Sequence, residues 1–182
     1  RFLNIGMPYR IVGGIKFYER KEIKDSIAYL RIVNNYSDDL AFERIINVPK
    51  RGIGQVTLNK INLISRKNNI SMFEASTIFL QSNEKNKAKN EISKLIAKIH
   101  KWHKLKKQIN HYELFELIME DSGYMEQLNV EKQQKDNIEN YDRLDNVYEL
   151  KNSLKEFNNL EGFLEHISLV LDNERMNENN KI

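Results

Sequence analysis

Apolar residues recur every three or four positions along most of this chain, in segments set apart by short runs of Asn, Ser, Gly and Pro. That is the pattern of amphipathic helices joined by tight turns. Over 17–35 the stripe is Ile23, Ile27, Leu30 and Val33, with Glu22 and Asp25 in the first turn, where the helix dipole favours carboxylates. A second helix is predicted over 37–48, capped by Ser37 or Asp38 and ended by Pro49. Either Leu40, Ile45 and Val48 or Phe42 and Ile46 form its apolar side. Val56, Ile61 and Ile64, with Leu58 and Leu63, predict a third helix that reaches Arg66. "SMFEASTIFLQ" (71–81) opens with Ser71 and Glu74 at capping-box spacing. A long helix over 85–109 carries Ile92, Leu95, Ile99 and Trp102 on one stripe, and a short one over 111–123 stops at Gly123. Two more are predicted over 134–157 and 160–171.

Only the opening departs from this period. "PYRIVGG" (8–14) alternates weakly, is rich in β-formers and ends in two glycines, so it reads as a short strand running into a turn. Residues 173–182 are polar and lack an apolar stripe, and are expected to fray. The fold class is therefore all-α, a multi-helix domain with a short β fragment at its amino end. At 182 residues the chain suits one domain or slightly more. It is long enough to bury about 70% of the surface its unfolded form exposes. It begins with Arg1, in mid-element, and is read as a piece of something longer.

Composition narrows the chemistry. Without cysteine there are no disulfides, thiolate metal sites or thiol catalysis, which suits a cytoplasmic, reducing setting. No apolar run approaches the roughly 18 residues of a membrane span, so no membrane partner is expected. The formal charge of +3 hides an asymmetry: residues 1–110 carry 22 Lys and Arg against 9 Asp and Glu, and residues 111–182 carry 7 against 17. Such a split points to one end that meets a polyanion, unless folding brings the two halves together. Neither a P-loop nor a dinucleotide fingerprint occurs. Of His100, His103, His111 and His166 only the first two share a helix face, and with no carboxylate at ligand spacing they read as solvated side chains. The pairs Asp38/Asp39 and Glu120/Asp121 sit at predicted helix ends, where dipole and solvent account for them. No catalytic, cofactor-binding or metal-ligating residue is assigned. The chain alone reads as a binder.

The chemistry concentrates in "PKRGIG" (49–54), which holds one of two prolines and two of seven glycines between two helices. A helix that stops at Pro49, turns through Gly52, Ile53 and Gly54 and restarts at once presents free N–H groups at the positive end of its dipole, which suits a phosphate. Glycine permits positive φ and lets a phosphate approach the amides without a Cβ in the way. Ile53 anchors the turn, while Lys50 and Arg51 add attraction and hydrogen bonds. This is the logic of helix–hairpin–helix elements that hold a DNA backbone without reading bases; a plain interhelical turn is the alternative. "DSGY" (121–124) also joins two helices through a glycine, but its acidic surroundings make it a packing turn. Between Lys85 and Lys107 stand nine Lys and one Glu. Lys94, Lys98 and Lys101 form either a second phosphate-tracking strip or a solvated face.

Residues 6–54, "GMPYRIVGGIKFYERKEIKDSIAYLRIVNNYSDDLAFERIINVPKRGIG", resemble the superfamily 1 DNA helicases of the UvrD, PcrA and Rep type almost without a gap. "FELIMEDSGYMEQL", "NIENYDRLDNVYEL" and "LEGFLEHISLV" extend the resemblance more loosely over the rest. It implies that 1–16 are a sliver of the second motor subdomain (2A), that 17–172 are the helical 2B insertion, and that 173–182 are a polar tail. The parent is then an ATP-driven 3′-to-5′ DNA helicase whose ATP and Mg2+ sites lie outside this chain. The resemblance assigns duplex at a single-strand/double-strand junction to the GIG loop: Lys50, Arg51, Gly52, Ile53, Gly54 and, at the next helix start, Gln55 and Thr57. The remaining motor subdomains are implied as partners. A rival reading is a protein-interaction and autoinhibitory module with little DNA binding of its own.

Overall fold

The computed structural model describes residues 14–134 and 138–179, and within them every regular element is a helix. The strand expected over 8–14 lies outside the described residues apart from Gly14, which opens a helix. In chain order the elements are α1 (Gly14–Glu19), α2 (Lys21–Asn34), α3 (Asp39–Ile45), α4 (Gln55–Asn68) and α5 (Met72–Gln81). They continue with α6 (Lys89–Leu105), α7 (His111–Asp121), α8 (Tyr124–Gln134), α9 (Ile138–Leu154) and α10 (Leu160–Asn179).

Helix α2 is the central pillar. Ile23, Tyr29, Leu30, Ile32 and Val33 are all fully buried, and α3, α6, α7, α9 and α10 pack around them. A helix buried on nearly every side must satisfy its polar groups internally. Asp25, 2% exposed, accepts from Arg44 Nε at 2.8 Å and Tyr124 Oη at 2.9 Å. Glu22 accepts from Asn146 Nδ2 at 2.7 Å and faces Arg143 Nε at 3.4 Å. The two carboxylates expected to serve the helix dipole therefore tie α2 to α3, α8 and α9. Burial, followed by the Asp25 charge, pushes the Tyr124 hydroxyl far above its ordinary range.

Several boundaries and faces differ from expectation. The helix over 17–35 is two, broken at Arg20, whose backbone is extended. Phe17 and Tyr18 are both buried, yet Tyr18 falls opposite Ile27 on a continuous helical wheel, so the chain bends to bring both faces inward. In α3 the buried side is Ala41, Phe42 and Ile45, while Leu40 is 77% exposed. In α4 the buried side is Thr57, Ile61 and Ser65 at four-residue spacing, and Val56 and Leu63 face solvent. Of the two faces open for α3, the one with Phe42 and Ile46 is buried; in α4 Ile61, Leu58 and Ile64 meet the core as expected, and only Val56 and Leu63 turn away from it.

The expected capping box forms, with the Ser71 hydroxyl accepting from Glu74 N–H at 3.2 Å and Glu74 reaching back to Ser71 N–H at 3.1 Å. Helix α6 starts later than Lys85, because Asn86 Oδ1 accepts from Ala88 N–H and holds a turn there. Helix α8 fills a stretch with a weak apolar period, since Tyr124 and Leu128 alone carry its buried face. Backbone helix in α10 runs past Leu171 to Asn179, through a stretch without Pro or Gly.

Candidate nucleic-acid interface

The PKRGIG hairpin joins α3 to α4. Asn47 closes its turn: Asn47 Oδ1 accepts from Arg51 N–H at 2.7 Å and from Ile53 N–H at 3.3 Å. Ile53, 1% exposed, seats the turn in the core. Gly52 has φ +69°, a conformation that other residues adopt only with strain. Gly54 does not: its φ is −84°, and a Cβ built there would meet nothing within 4 Å. Positive φ therefore accounts for one glycine of the pair, and Gly54 simply leaves open space in front of the amides.

Helix α4 begins at that open space without a side-chain cap. The N–H groups of Gly52, Gly54, Gln55 and Val56 have no protein acceptor among the described residues. Uncapped N–H groups at the start of a fourteen-residue helix are an anion-binding arrangement. Lys50 is exposed beside them and carries no acidic partner among the described residues. Gln55 is exposed, its Nε2 donating to Asn59 Oδ1 at 2.9 Å.

Two of the residues assigned to phosphate face inward. Thr57 is buried, its Oγ1 accepting from Asn86 Nδ2 at 3.2 Å. Arg51 Nη1 donates to Ile45 O at 2.8 Å, Ile46 O at 3.2 Å and Val48 O at 3.0 Å. Its Nη2 donates to Tyr29 Oη at 2.7 Å and Ser122 O at 3.5 Å. Burial raises the Tyr29 hydroxyl above its ordinary value, and the Arg51 charge opposes that rise.

The DSGY turn packs beneath this hairpin. Gly123, at φ +82°, would place a Cβ 3.8 Å from Pro49 Cγ, and Ser122 and Tyr124 are buried. The lysine strip of α6 is largely paired. Lys94 meets Glu91 at 2.7 Å, and Lys98 and Lys101 meet the Asp121 carboxylate at 3.4 and 3.2 Å. Trp102 Nε1 donates to the same carboxylate at 2.9 Å. Burial alone would raise the Asp121 carboxyl, but the Trp102 indole, Lys101 and Lys98 outweigh it and hold it below its ordinary 3.8. The histidines pair on α6 as well: His100 Nδ1 lies 3.1 Å from Tyr36 Oη, and His103 Nδ1 lies 2.7 Å from Val33 O.

Sequence reasoning missed Asn47, Tyr29 and Ser122. The first had a local signal, since Asn at a helix end readily bonds backbone N–H groups a few residues on. The other two reach the hairpin only through the tertiary fold.

Comparison with known proteins places the chain in a family. The profile described as UvrD-like helicase C-terminal domain matches residues 1–182. A probable DNA helicase II homolog of Rickettsia felis is 43% identical over 179 residues, covering 98% of this chain and 27% of the relative. The ATP-dependent DNA helicase PcrA of Bacillus subtilis is 37% identical over 182 residues, covering 97% of this chain and 24% of the relative. The PcrA of Staphylococcus aureus is likewise 37% identical, over 181 residues. This chain spans about a quarter of the length of these curated relatives. With its whole length matched and an all-helical body of the expected class, the chain belongs to the UvrD-like helicase C-terminal domain family.

Proposed function

We propose that this chain is the 2B subdomain, with a sliver of 2A over 1–16, of an ATP-dependent 3′-to-5′ DNA helicase, and that it grips duplex DNA by the phosphate backbone. The whole protein is then a cytoplasmic hydrolase that binds ATP and Mg2+ through segments outside this chain. The observation that carries the reading is the uncapped α4 N-terminus behind Gly54: four N–H groups without an acceptor among the described residues, beside an exposed lysine, with open space where a Cβ of Gly54 would stand. Gly52, Gly54, Gln55 and Val56 offer amides, Lys50 offers charge, and Ile53 fixes the crest. Thr57 and Arg51 support the site from inside. Contacts of this kind carry no base information, so binding is indifferent to sequence. The relatives named as DNA helicases supply the class of partner, and the junction between single and double strand is where such a grip is useful.

A second reading has its own observation. Val130 (44% exposed) and Tyr148 (48%) line a groove with Met125, Glu120 and Glu126 on the acidic half of the chain. An apolar groove edged by carboxylates suits a basic protein segment, and under this reading the chain is an interaction or autoinhibitory module.

Fluorescence anisotropy of a short labelled duplex across a salt series separates the two. The phosphate reading expects weak binding with a log–log slope of roughly −2 to −4. It also expects loss of binding in Gly52→Ala/Gly54→Ala while helicity holds. Salt-tolerant binding, or none at low salt, favours the protein-contact reading.

A further inference from the structure

We propose that Arg51 is the positioning residue of the hairpin, a cation that shapes the amide cradle from within and does not touch DNA. The proposal rests on the phosphate-grip reading above. In sequence Arg51 looks like the partner of Lys50, two cations side by side before the glycines. In the fold the two diverge. Lys50 is exposed, whereas both Nη nitrogens of Arg51 are taken by acceptors of the protein itself, leaving only Nε–H without an acceptor among the described residues.

Those acceptors say what the guanidinium is for. Ile45 O and Ile46 O stand at the C-terminal end of α3, where the helix dipole favours a cation; Ile45 O also accepts from Val48 N–H, and Arg51 adds a second donor to it. Val48 O immediately precedes Pro49 at the foot of the hairpin, and it receives a second donor, the Tyr29 hydroxyl. Tyr29 thus accepts from Arg51 and donates to the same strand of chain that Arg51 holds. Its ring is fully buried in the central helix, 6.0 Å from Trp102 and 6.4 Å from Tyr124. On the far side Nη2 reaches Ser122 O in the turn that packs on Pro49.

One planar fork therefore ties α2, the end of α3 and the α7–α8 turn together at the base of the hairpin. Asn47 fixes the N–H groups of Arg51 and Ile53 above that base. The alternate amides, of Gly52 and Gly54, are left outside the internal bonding. Lysine cannot replace this arrangement, because one ammonium nitrogen has no rigid fork to span two separate groups of acceptors.

The test measures duplex affinity and its salt slope, together with hydrogen exchange at the Arg51 and Ile53 amides. It compares the wild-type chain with Arg51→Lys, Tyr29→Phe, their double variant and Lys50→Gln. Arg51→Lys keeps the charge yet is expected to weaken duplex binding about five- to ten-fold, the loss of a charged hydrogen-bond set. Tyr29→Phe, whose buried ring cannot reach DNA, is expected to weaken it in the same direction. The double variant should lose no more than the worse single, because both changes break one unit. Each should speed exchange at Arg51 and Ile53. Lys50→Gln should flatten the salt slope by about one and leave exchange alone. Wild-type binding in Arg51→Lys, or additive losses in the double variant, overturns the proposal and returns Arg51 to direct phosphate contact. A wild-type chain with no salt-dependent duplex binding overturns the phosphate grip itself. Faster exchange in Arg51→Lys would then mark the guanidinium as a structural lock with no DNA to position for.

Discussion

The hairpin at 49–54 and the lysine face of α6 offer an anion opposite things. Residues 85–107, with α6 at their centre, hold nine lysines, yet Lys94, Lys98 and Lys101 have carboxylate partners, two of them sharing Asp121. The hairpin has one outward lysine and a row of backbone N–H groups, and those N–H groups have nothing to bond within the described residues. A phosphate arriving at α6 must compete with Asp121 and Glu91, whereas at the hairpin it meets donors without a competing acceptor among the described residues. The availability of donors, and not the density of charge, distinguishes a binding surface from a solvated one.

The largest blow to the hairpin should come from Ile53→Ala. Truncating this fully seated side chain is expected to cost about 2–5 kcal/mol in urea denaturation. Gly52→Ala tests the backbone alone, since it adds a Cβ and no polar group. It forces a Cβ into φ +69° and should cost about 1–2 kcal/mol. Asp121→Ala attacks the other region: it leaves the buried Trp102 N–H unpaired and should cost about 1–3 kcal/mol, with Asp121→Asn costing less because an acceptor remains. Asp121→Ala frees Lys101 and leaves Lys98 only its bond to the Asp121 backbone carbonyl. Duplex binding should nevertheless keep its salt slope; a slope steeper by up to about two would mean that pairing alone had kept α6 off DNA.

Acid probes this pairing too. The Asp121 carboxyl titrates below its ordinary 3.8 in the fold, so its contribution is complete above that value. It is lost as the pH falls through the lowered folded value, and Asp121→Asn should remove that part of the acid transition. The smallest stability effect is expected of Gly54→Ala, under about 1 kcal/mol at an N-cap without positive φ. Its duplex affinity should still fall clearly. Unchanged affinity would deprive Gly54 of its role as open ground before the amides.

Most of the helical framework was legible in the sequence because three- and four-residue spacing survives tertiary packing. Ser71 with Glu74 and Asp38 as a cap act within a few residues of themselves; α3 stops at Ile45, earlier than Pro49 alone would require. Faces were less legible. Val56 and Leu63 look like core and point outward, while Thr57 and Ser65 are polar and point inward, because each hydroxyl has a partner there. In the site, the glycines and Ile53 could be assigned from local geometry. The roles of Arg51, Lys98 and Lys101 were hidden, since part of each one's bonding comes from helices distant in sequence: Tyr29 and Ser122 for Arg51 and Asp121 for Lys98 and Lys101.

The rooting of the hairpin in α2 has a mechanical side. Tyr29 belongs to a helix walled in by six others, and through Val48 and Arg51 it grips the base of the loop. A pull on the crest is therefore not absorbed by a slack connection. It is delivered to the central helix as torque, and whatever holds the crest turns the whole helical body with it, as a handle turns a door.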